Sequence, residues 1–268
     1  STYADYNVPV DEITYLGTKI PLTNGNMTNT AGNEFSLYGQ WGYIGDKFQS
    51  ILSLSQFQSN SGFFAGAHGI PSVDDAKSDG DNRTIGMPNQ EVKHTKLTYH
   101  AKWLNTHDVW DFKIGFQRNH RSENSLFNSH YSNQIAPTLD PDLELDFKLN
   151  TFNTELTYKK DWLLDHTSTF GVQQQYQLND IAGYSYLMPK YDRWNVAIFG
   201  KHLWNVHTKL NVELGARYDV AKMKVASYFD DVLYEYLINK GTNDDTAKNY
   251  AQRSGSLNKD FSRGNVAL

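Results

Sequence analysis

Histidine, arginine and tyrosine side chains near the ends of predicted strands are the residues of this sequence that could bind a ligand. His68 lies in a glycine-rich segment, Gly62–Gly69, and either contacts a ligand or metal chelate or orders a loop whose glycines permit a tight fold. The other candidates are His120, Arg121, His130, Tyr184, Tyr186 and Tyr191. Tyrosines stack on sugars and aromatic ligands, and they also anchor proteins at membrane interfaces, so both roles stay open.

Acidic residues occur in two groups, and neither matches a catalytic or metal-binding template. The groups are Asp74, Asp75, Asp79 and Asp81, and then Asp140, Asp142, Glu144 and Asp146. In the first group Lys77 occupies a ligand position of a calcium loop, and no glutamate closes the twelve-residue spacing. The sequence also lacks a nucleophile elbow and an H-E-x-x-H zinc motif. We therefore expect solvated carboxylates, no enzymatic activity, no metal site and no cofactor.

The composition favours a wet interior over a packed core. Hydrophobic residues make up 39% of the 268 residues, whereas aromatic residues reach 14%. A barrel with a wet lumen needs apolar residues only on its outer band, which fits both values. The net charge of −5 comes without a basic tract, so nucleic acid is not an expected partner, and the absence of cysteine excludes disulfides.

The segment KLNVELGARY, residues 209–218, changes character at every position. Leucine, valine, alanine and tyrosine occupy one face of an extended chain, and polar residues occupy the other. An apolar face of this kind touches either a second sheet or lipid. Three charges on the opposite face would be costly inside a sandwich core. We therefore predict a lipid-facing strand whose Lys209, Glu213 and Arg217 face a wet lumen.

Similar alternation predicts further strands, joined by connections that are short and long in turn. The tight connections lie near 44–47, 105–108, 160–166 and 205–207, and the long ones near 58–92, 118–148, 179–192 and 219–253. Bacterial outer-membrane barrels place short turns on the periplasmic side and long loops outside. Five of the six tryptophans lie at or near the short connections, as an interfacial aromatic girdle would.

The predicted fold is an all-β, antiparallel transmembrane barrel, with residues 1–268 forming one segment of it. We count about ten or eleven strands, with weaker strand signals near Ile13–Ile20 and from Ser254 onward. No helical period appears in the sequence. Since an open sheet edge cannot lie in lipid, either the end strands pair to close a small barrel or further strands belong to the same barrel.

Several segments resemble the barrel of TonB-dependent outer-membrane receptors. They are NTAGNEFSL (29–37), SGFFAGAHGIP (61–71), LDFKLNTF, GVQQQYQLND, GYSYLMPKYDRWN and LGARYD, whose last five residues are Gly215–Asp219. The resemblance implies a 22-stranded barrel, of which this chain covers about half, with a plug domain that the chain does not contain. It implies a Gram-negative outer membrane as the location and active uptake of a siderophore, haem, another metal chelate or an oligosaccharide.

The implied partners are outer-membrane lipid, the nutrient ligand and a TonB-type energy-coupling protein that acts through the plug. Two other functions remain open on the residues alone. A small porin-like channel would require the present ends to close into a barrel. A soluble β carbohydrate-binding or adhesin module would require a dry core between the alternating faces.

Overall fold

The computed structural model describes residues 1–15, 17–64, 81–127, 129, 134, 140–163 and 165–267. Within these residues the chain forms sixteen strands, one short 3-10 helix at Thr23–Gly25 and two α-helices. The strands are β1 (Thr2–Tyr3), β2 (Tyr6–Asn7), β3 (Glu12–Tyr15), β4 (Thr18–Pro21), β5 (Asn26–Met27), β6 (Gly32–Ile44), β7 (Phe48–Gly62), β8 (Asn89–Leu104), β9 (Asp108–Asn124), β10 (Leu143–Leu163), β11 (His166–Ala182), β12 (Tyr191–His207), β13 (Leu210–Val225), β14 (Tyr228–Phe229), β15 (Gln252–Ser254) and β16 (Leu257–Ala267). The helices are α1 (Asp231–Asn239) and α2 (Asp244–Ala251).

One antiparallel sheet of ten strands dominates the fold. Its order is β1-β6-β7-β8-β9-β10-β11-β12-β13-β16, so consecutive long strands are neighbours joined as hairpins. This confirms the predicted all-β antiparallel architecture. The outer strands β1 and β16 do not pair with each other in the described part of the chain, so the sheet is open there.

The connections between the long strands alternate in length as the sequence predicts. The short ones are residues 45–47, 105–107, 164–165 and 208–209, and the long ones are 63–88, 125–142, 183–190 and 226–256. Strands β9, β10 and β13 extend several residues further toward the long connections than the hydrophobic pattern indicates. The reason is that backbone pairing continues after the side chains become polar, as between Lys148 and Asp180.

The last long connection contains helices, which the sequence analysis does not predict. Helix α1 begins where the Asp230 side chain accepts a hydrogen bond from the Leu233 amide, and α2 begins after Asn243, whose side chain accepts from the Asp245 amide. The expectation of a chain without helices is therefore wrong for this connection. Both helices span only two turns, and caps rather than a long hydrophobic period define them.

The N-terminal residues fold beside the long-connection end of the sheet. The strand signal near Ile13–Ile20 corresponds to a separate hairpin, β3–β4, and not to a strand of the main sheet. Ile20 and Leu22 form a small buried core there. Asn29 fixes this segment to the sheet, since its side chain donates to the Phe63 and Pro88 carbonyls at 2.9 and 2.8 Å and accepts from the Gly86 amide at 2.8 Å.

The apolar face of the sheet is uncovered. Buried hydrophobic residues in the described chain are few, and outside the N-terminal core they are mostly alanines. Large hydrophobic side chains are instead exposed along the strands. They include Phe35, Leu37, Trp41, Leu97, Trp110, Phe152, Phe170, Ile198 and Leu214. A sandwich would bury such a face beneath a second sheet. No helix in the described residues has the length and apolarity needed to cross a membrane.

Candidate functional site

The polar face of the sheet curves around a cavity of about 760 Å³. The cavity touches all eight strands from β6 to β13, which requires the sheet to curl toward this side. We call this side the concave face; it bears Gln40, Ser53, His100, Lys113, Glu155, Gln173, Asn195 and Arg217. Because side chains alternate along a strand, the uncovered apolar residues lie on the opposite, convex face.

A row of charged and amide side chains crosses the concave face. Asp111 lies 3.0 Å from Nε2 of His100 and 3.6 Å from Nζ of Lys113. The same Lys113 ammonium donates to Glu155 at 2.9 Å, and the Gln173 amide donates to the other Glu155 oxygen at 2.6 Å. The row links four neighbouring strands, β8 to β11, through side chains alone.

Arg217 extends this row from β13 to β11. Its Nη1 donates to Oε1 of Gln173 at 2.7 Å, while its Nε and Nη2 donate to the Asp219 carboxylate at 2.7 to 3.0 Å. To reach Gln173 the guanidinium passes over the intervening strand β12. There it lies 5.9 Å from the centre of the Phe199 ring.

The absence of a side chain at Gly171 allows the Arg217 guanidinium to extend across β12 to Gln173. A Cβ at this position would come within 2.2 Å of Cζ of Phe199, so the absence of a side chain lets the ring lie over β11. In this position the Phe199 ring presents a flat face, over which the Arg217 guanidinium extends. Residues 171, 199 and 217 therefore form one unit on three adjacent strands.

A second row, of one arginine and three amide side chains, runs beside the first, nearer the long connections. The Arg193 guanidinium donates to Oδ1 of Asn195 at 3.0 Å, and the Asn195 amide donates to Gln175 at 3.3 Å. The Gln175 amide in turn donates to Asn153 at 3.0 Å. Planar amides of this kind offer donors and acceptors to hydroxyl and carboxylate groups of a ligand.

The convex face carries an apolar band, which on β12 has a tryptophan at each end. On β12 the band runs from Trp194 to Trp204, about 34 Å along the strand, and a tilt of about 40° leaves a height of about 26 Å. This is close to the apolar band of outer-membrane barrels, which is about 25 Å tall, and His202 is the one polar side chain of that face between the two tryptophans. The sheet thus combines a lipid-compatible outside with a polar, curved inside.

Comparison with known families agrees with this architecture. The family model described as TonB dependent receptor-like, beta-barrel matches residues 27–263, almost the whole main sheet. The chain belongs to the TonB-dependent receptor family. Members of this family are outer-membrane transporters of Gram-negative bacteria and not enzymes. No curated protein matches the chain.

Of the residues predicted to face the lumen of this receptor barrel, Glu213 and Arg217 lie on the concave side of β13. Glu213 pairs with Lys201 of β12 at 3.4 Å. Lys209 lies in the turn at residues 208–209, outside the strand. The turn takes Thr208 and Lys209 out of the alternation, and β13 begins only at Leu210.

His120 and Arg121 lie on opposite faces of β9, near its long-connection end. His120 is on the convex side, where its Nε2 lies 2.5 Å from Asp146. Arg121 is on the concave side and pairs with Glu123.

The expectation of solvated carboxylates is wrong for Glu144 and Asp146, which are 2% and 5% exposed. Lys148, at 2.6 Å, and His120 surround Asp146.

The three tyrosines occupy the connection 183–190 and the start of β12. Tyr184 donates through its hydroxyl to the carbonyls of Ser125 and Leu126 at 3.4 and 3.3 Å, and burial raises the pKa of its phenol. Tyr191 begins β12, paired with Val225 of β13. His68 and His130 lie outside the described residues.

Tyr186 belongs to an aromatic pair with Tyr228, of which only Tyr186 was predicted from the sequence. Its ring stacks in parallel on that of Tyr228, with centroids 4.6 Å apart and planes 8° apart, and the Arg253 guanidinium lies 5.9 Å from the Tyr186 ring centre. Burial raises the pKa of Tyr228. The pair joins the connection 183–190 to strands β14 and β15, on the side of the long connections.

Sequence reasoning did not single out His100, Asp111, Lys113, Glu155 or Gln173 as functional. Strand alternation alone places each of them on the polar face, but their convergence depends on register. No group of three or more histidine, aspartate or glutamate side chains in the described chain is arranged to hold a metal ion.

Proposed function

We propose that this protein is an outer-membrane receptor that takes up a scarce, hydrophilic nutrient by TonB-dependent active transport. The observation that carries the proposal is the family match to a sheet whose concave face bears a continuous polar network. Ligands suited to this surface are oligosaccharides and hydrophilic metal chelates such as siderophores. Amide and carboxylate groups bind hydroxyl-rich molecules directly, and amide and arginine side chains bind carboxylate-rich ones.

The ligand enters from the side of the long connections. The stacked pair Tyr186–Tyr228 with Arg253 lies there, offering a ring surface and a cation. Such an arrangement suits a sugar ring or an anionic chelate better than the large apolar face of haem. Energy is supplied by a TonB-type coupling protein, as in the family.

The test measures uptake by cells that express the native protein. The probes are maltodextrins, ferric hydroxamate and catecholate chelates, and haem, each labelled and given with and without an uncoupler of the proton gradient. Active uptake of a hydrophilic probe that the uncoupler abolishes supports the proposal. Uptake that the uncoupler leaves unchanged overturns it in favour of a passive channel.

Single substitutions test whether the ligand binds at the Tyr186–Tyr228 pair. We expect Tyr186→Ala and Arg253→Gln each to raise the concentration for half-maximal uptake at least tenfold. The matched control is Tyr250→Ala, an exposed tyrosine on α2 in the same connection. If Tyr250→Ala weakens uptake as much as Tyr186→Ala, the aromatic pair is not the binding surface.

A further inference from the structure

The convex face contains an apolar groove that interrupts its covering of large side chains. The groove has a volume of about 790 Å³. Gly200, Ala216 and Gly264 on three adjacent strands form its floor. Phe170 and Tyr218 form its walls. Apart from Arg217 and Asn265, the residues that line the groove are apolar, aromatic or glycine, so the groove accommodates a chain of methylene groups.

Polar side chains lie directly beside the groove, on the side of the short turns. In the register of the sheet, Tyr158, Phe170 and Gly200 form one cross-strand line, and Lys160, Ser168 and His202 form the next. The groove and the polar line are therefore one residue pair apart on the same face. An apolar groove followed by a polar line along the strands matches the order of a lipid tail and its headgroup.

The polar line is organised by side-chain hydrogen bonds. Nδ1 of His202 lies 2.9 Å from the Ser168 hydroxyl, and its Nε2 lies 3.1 Å from Nδ1 of His166. The Trp162 indole donates to the same hydroxyl at 2.9 Å. Ser168 is buried beneath these groups, so the cluster is ordered although it faces outward.

Lys160 supplies the charge of the cluster. Its ammonium lies 4.7 Å from the centre of the Trp162 ring, and no carboxylate among the described residues lies within 4.0 Å of it. Asp108, the cross-strand partner of Lys160, accepts from the Tyr158 hydroxyl at 2.9 Å. A cation at the boundary of the hydrocarbon layer is stabilised by an anionic headgroup.

We infer that this surface binds a phospholipid, with an acyl chain in the groove and the phosphate beside Lys160. The inference rests on the proposed outer-membrane location of the receptor. Short turns of such barrels face the periplasm, so the lipid would belong to the periplasmic leaflet. It adds a lipid site on the outside of the barrel, separate from the concave face.

The experiment uses the native protein, purified in a mild detergent and stripped of lipid. Native mass spectrometry then measures binding of palmitoyl-oleoyl phosphatidylethanolamine and of the diacylglycerol with the same chains. We expect the phospholipid to bind at least tenfold more tightly than the diacylglycerol. Equal binding of the two lipids would overturn the assignment of the phosphate to Lys160.

Two substitutions separate the two parts of the site. Ala216→Phe fills the groove and should weaken both lipids at least fivefold, with Val220→Phe on the same face as its control. Lys160→Gln should remove the preference for the phospholipid, with Lys222→Gln, on the convex face near the long connections, as its control. Variants that bind like their controls overturn the inference.

The lipid assay and the uptake assay fail independently. A protein that transports its nutrient with an uncoupler-sensitive rate but shows no lipid preference disproves the lipid site alone. A protein that is fully soluble without detergent disproves both the site and the proposed function.

Discussion

Replacing Leu156 by arginine tests the assignment of the two sheet faces. Leu156 lies on the convex face of β10, between Phe112 and Val172 of the adjacent strands. It is 39% exposed, although a leucine in a packed core would be covered. Its line continues through Val172 to Ile198, which lies between the two tryptophans that bound the band on β12, so Leu156 is near the middle of the band.

The size of the effect follows from this depth. An arginine on the lipid face of a membrane barrel costs about 2–4 kcal/mol at the midplane. The adjacent Thr157 lies on the concave face, opposite Asp111. An arginine there remains hydrated and near a carboxylate, so we expect Thr157→Arg to change the free energy of unfolding by less than about 1 kcal/mol.

The assay is denaturant unfolding of each variant in lipid vesicles, followed by the fluorescence of the six tryptophans. Leu156→Arg should lower the free energy of unfolding by about 2 kcal/mol or more relative to Thr157→Arg. Equal effects would show that the convex face is as wet as the concave one. A larger effect for Thr157→Arg would make the concave face the dry one, as in a soluble sandwich.

Three further predictions concern the long-connection side. Asn29→Ala removes three hydrogen bonds and should lower the free energy of unfolding by about 1–3 kcal/mol in the same denaturant assay. Gly183→Ala should lower the melting temperature, because Gly183 has φ of 103° and a Cβ would lie 2.2 Å from the backbone oxygen of Glu144. Hydrogen bonding from Lys248 lowers the pKa of Asp244 below its unfolded value, so hydrogen-exchange protection of α1 and α2 should be complete above about pH 4 and fall as the pH drops through the folded pKa.

Each of these three predictions has a control that could contradict it. Asn33→Ala, on an exposed strand position, should leave unfolding unchanged, and an equal loss would remove the special role of Asn29. Gly255→Ala meets no atom within 4 Å and should not alter the melting temperature. In Asp244→Asn the acid-induced loss of protection should disappear; if it persists, another group is responsible.

The sequence carried most of the information about the main sheet, because strand alternation is a local property. Residues 209–218 show this well, since every second residue from Leu210 is apolar. Helices α1 and α2 could not be read in the same way. Their stability depends on the caps at Asp230 and Asn243 and on their mutual packing, which a hydrophobic period does not record.

The candidate site was predictable only in part. Arg217 was identified from alternation, but its partner Gln173 lies 44 positions away in sequence and two strands away in the sheet. Only the register of β11, β12 and β13 brings the two together. The gap at Gly171 that admits the Phe199 ring likewise has no signature in the sequence around either residue.

The sequence alone determined which side chains share the apolar face of the sheet and which share the polar face, since that follows from a period of two along each strand. The tertiary structure decided which of the water-facing side chains meet, because strand register and sheet curvature set distances between residues far apart in the chain. The same division applies outside the sheet. The alternation of side chains and the positions of the tryptophans indicate an apolar band on one face. Only cross-strand pairing places Lys160, Ser168 and His202 beside the groove at Gly200 and Ala216.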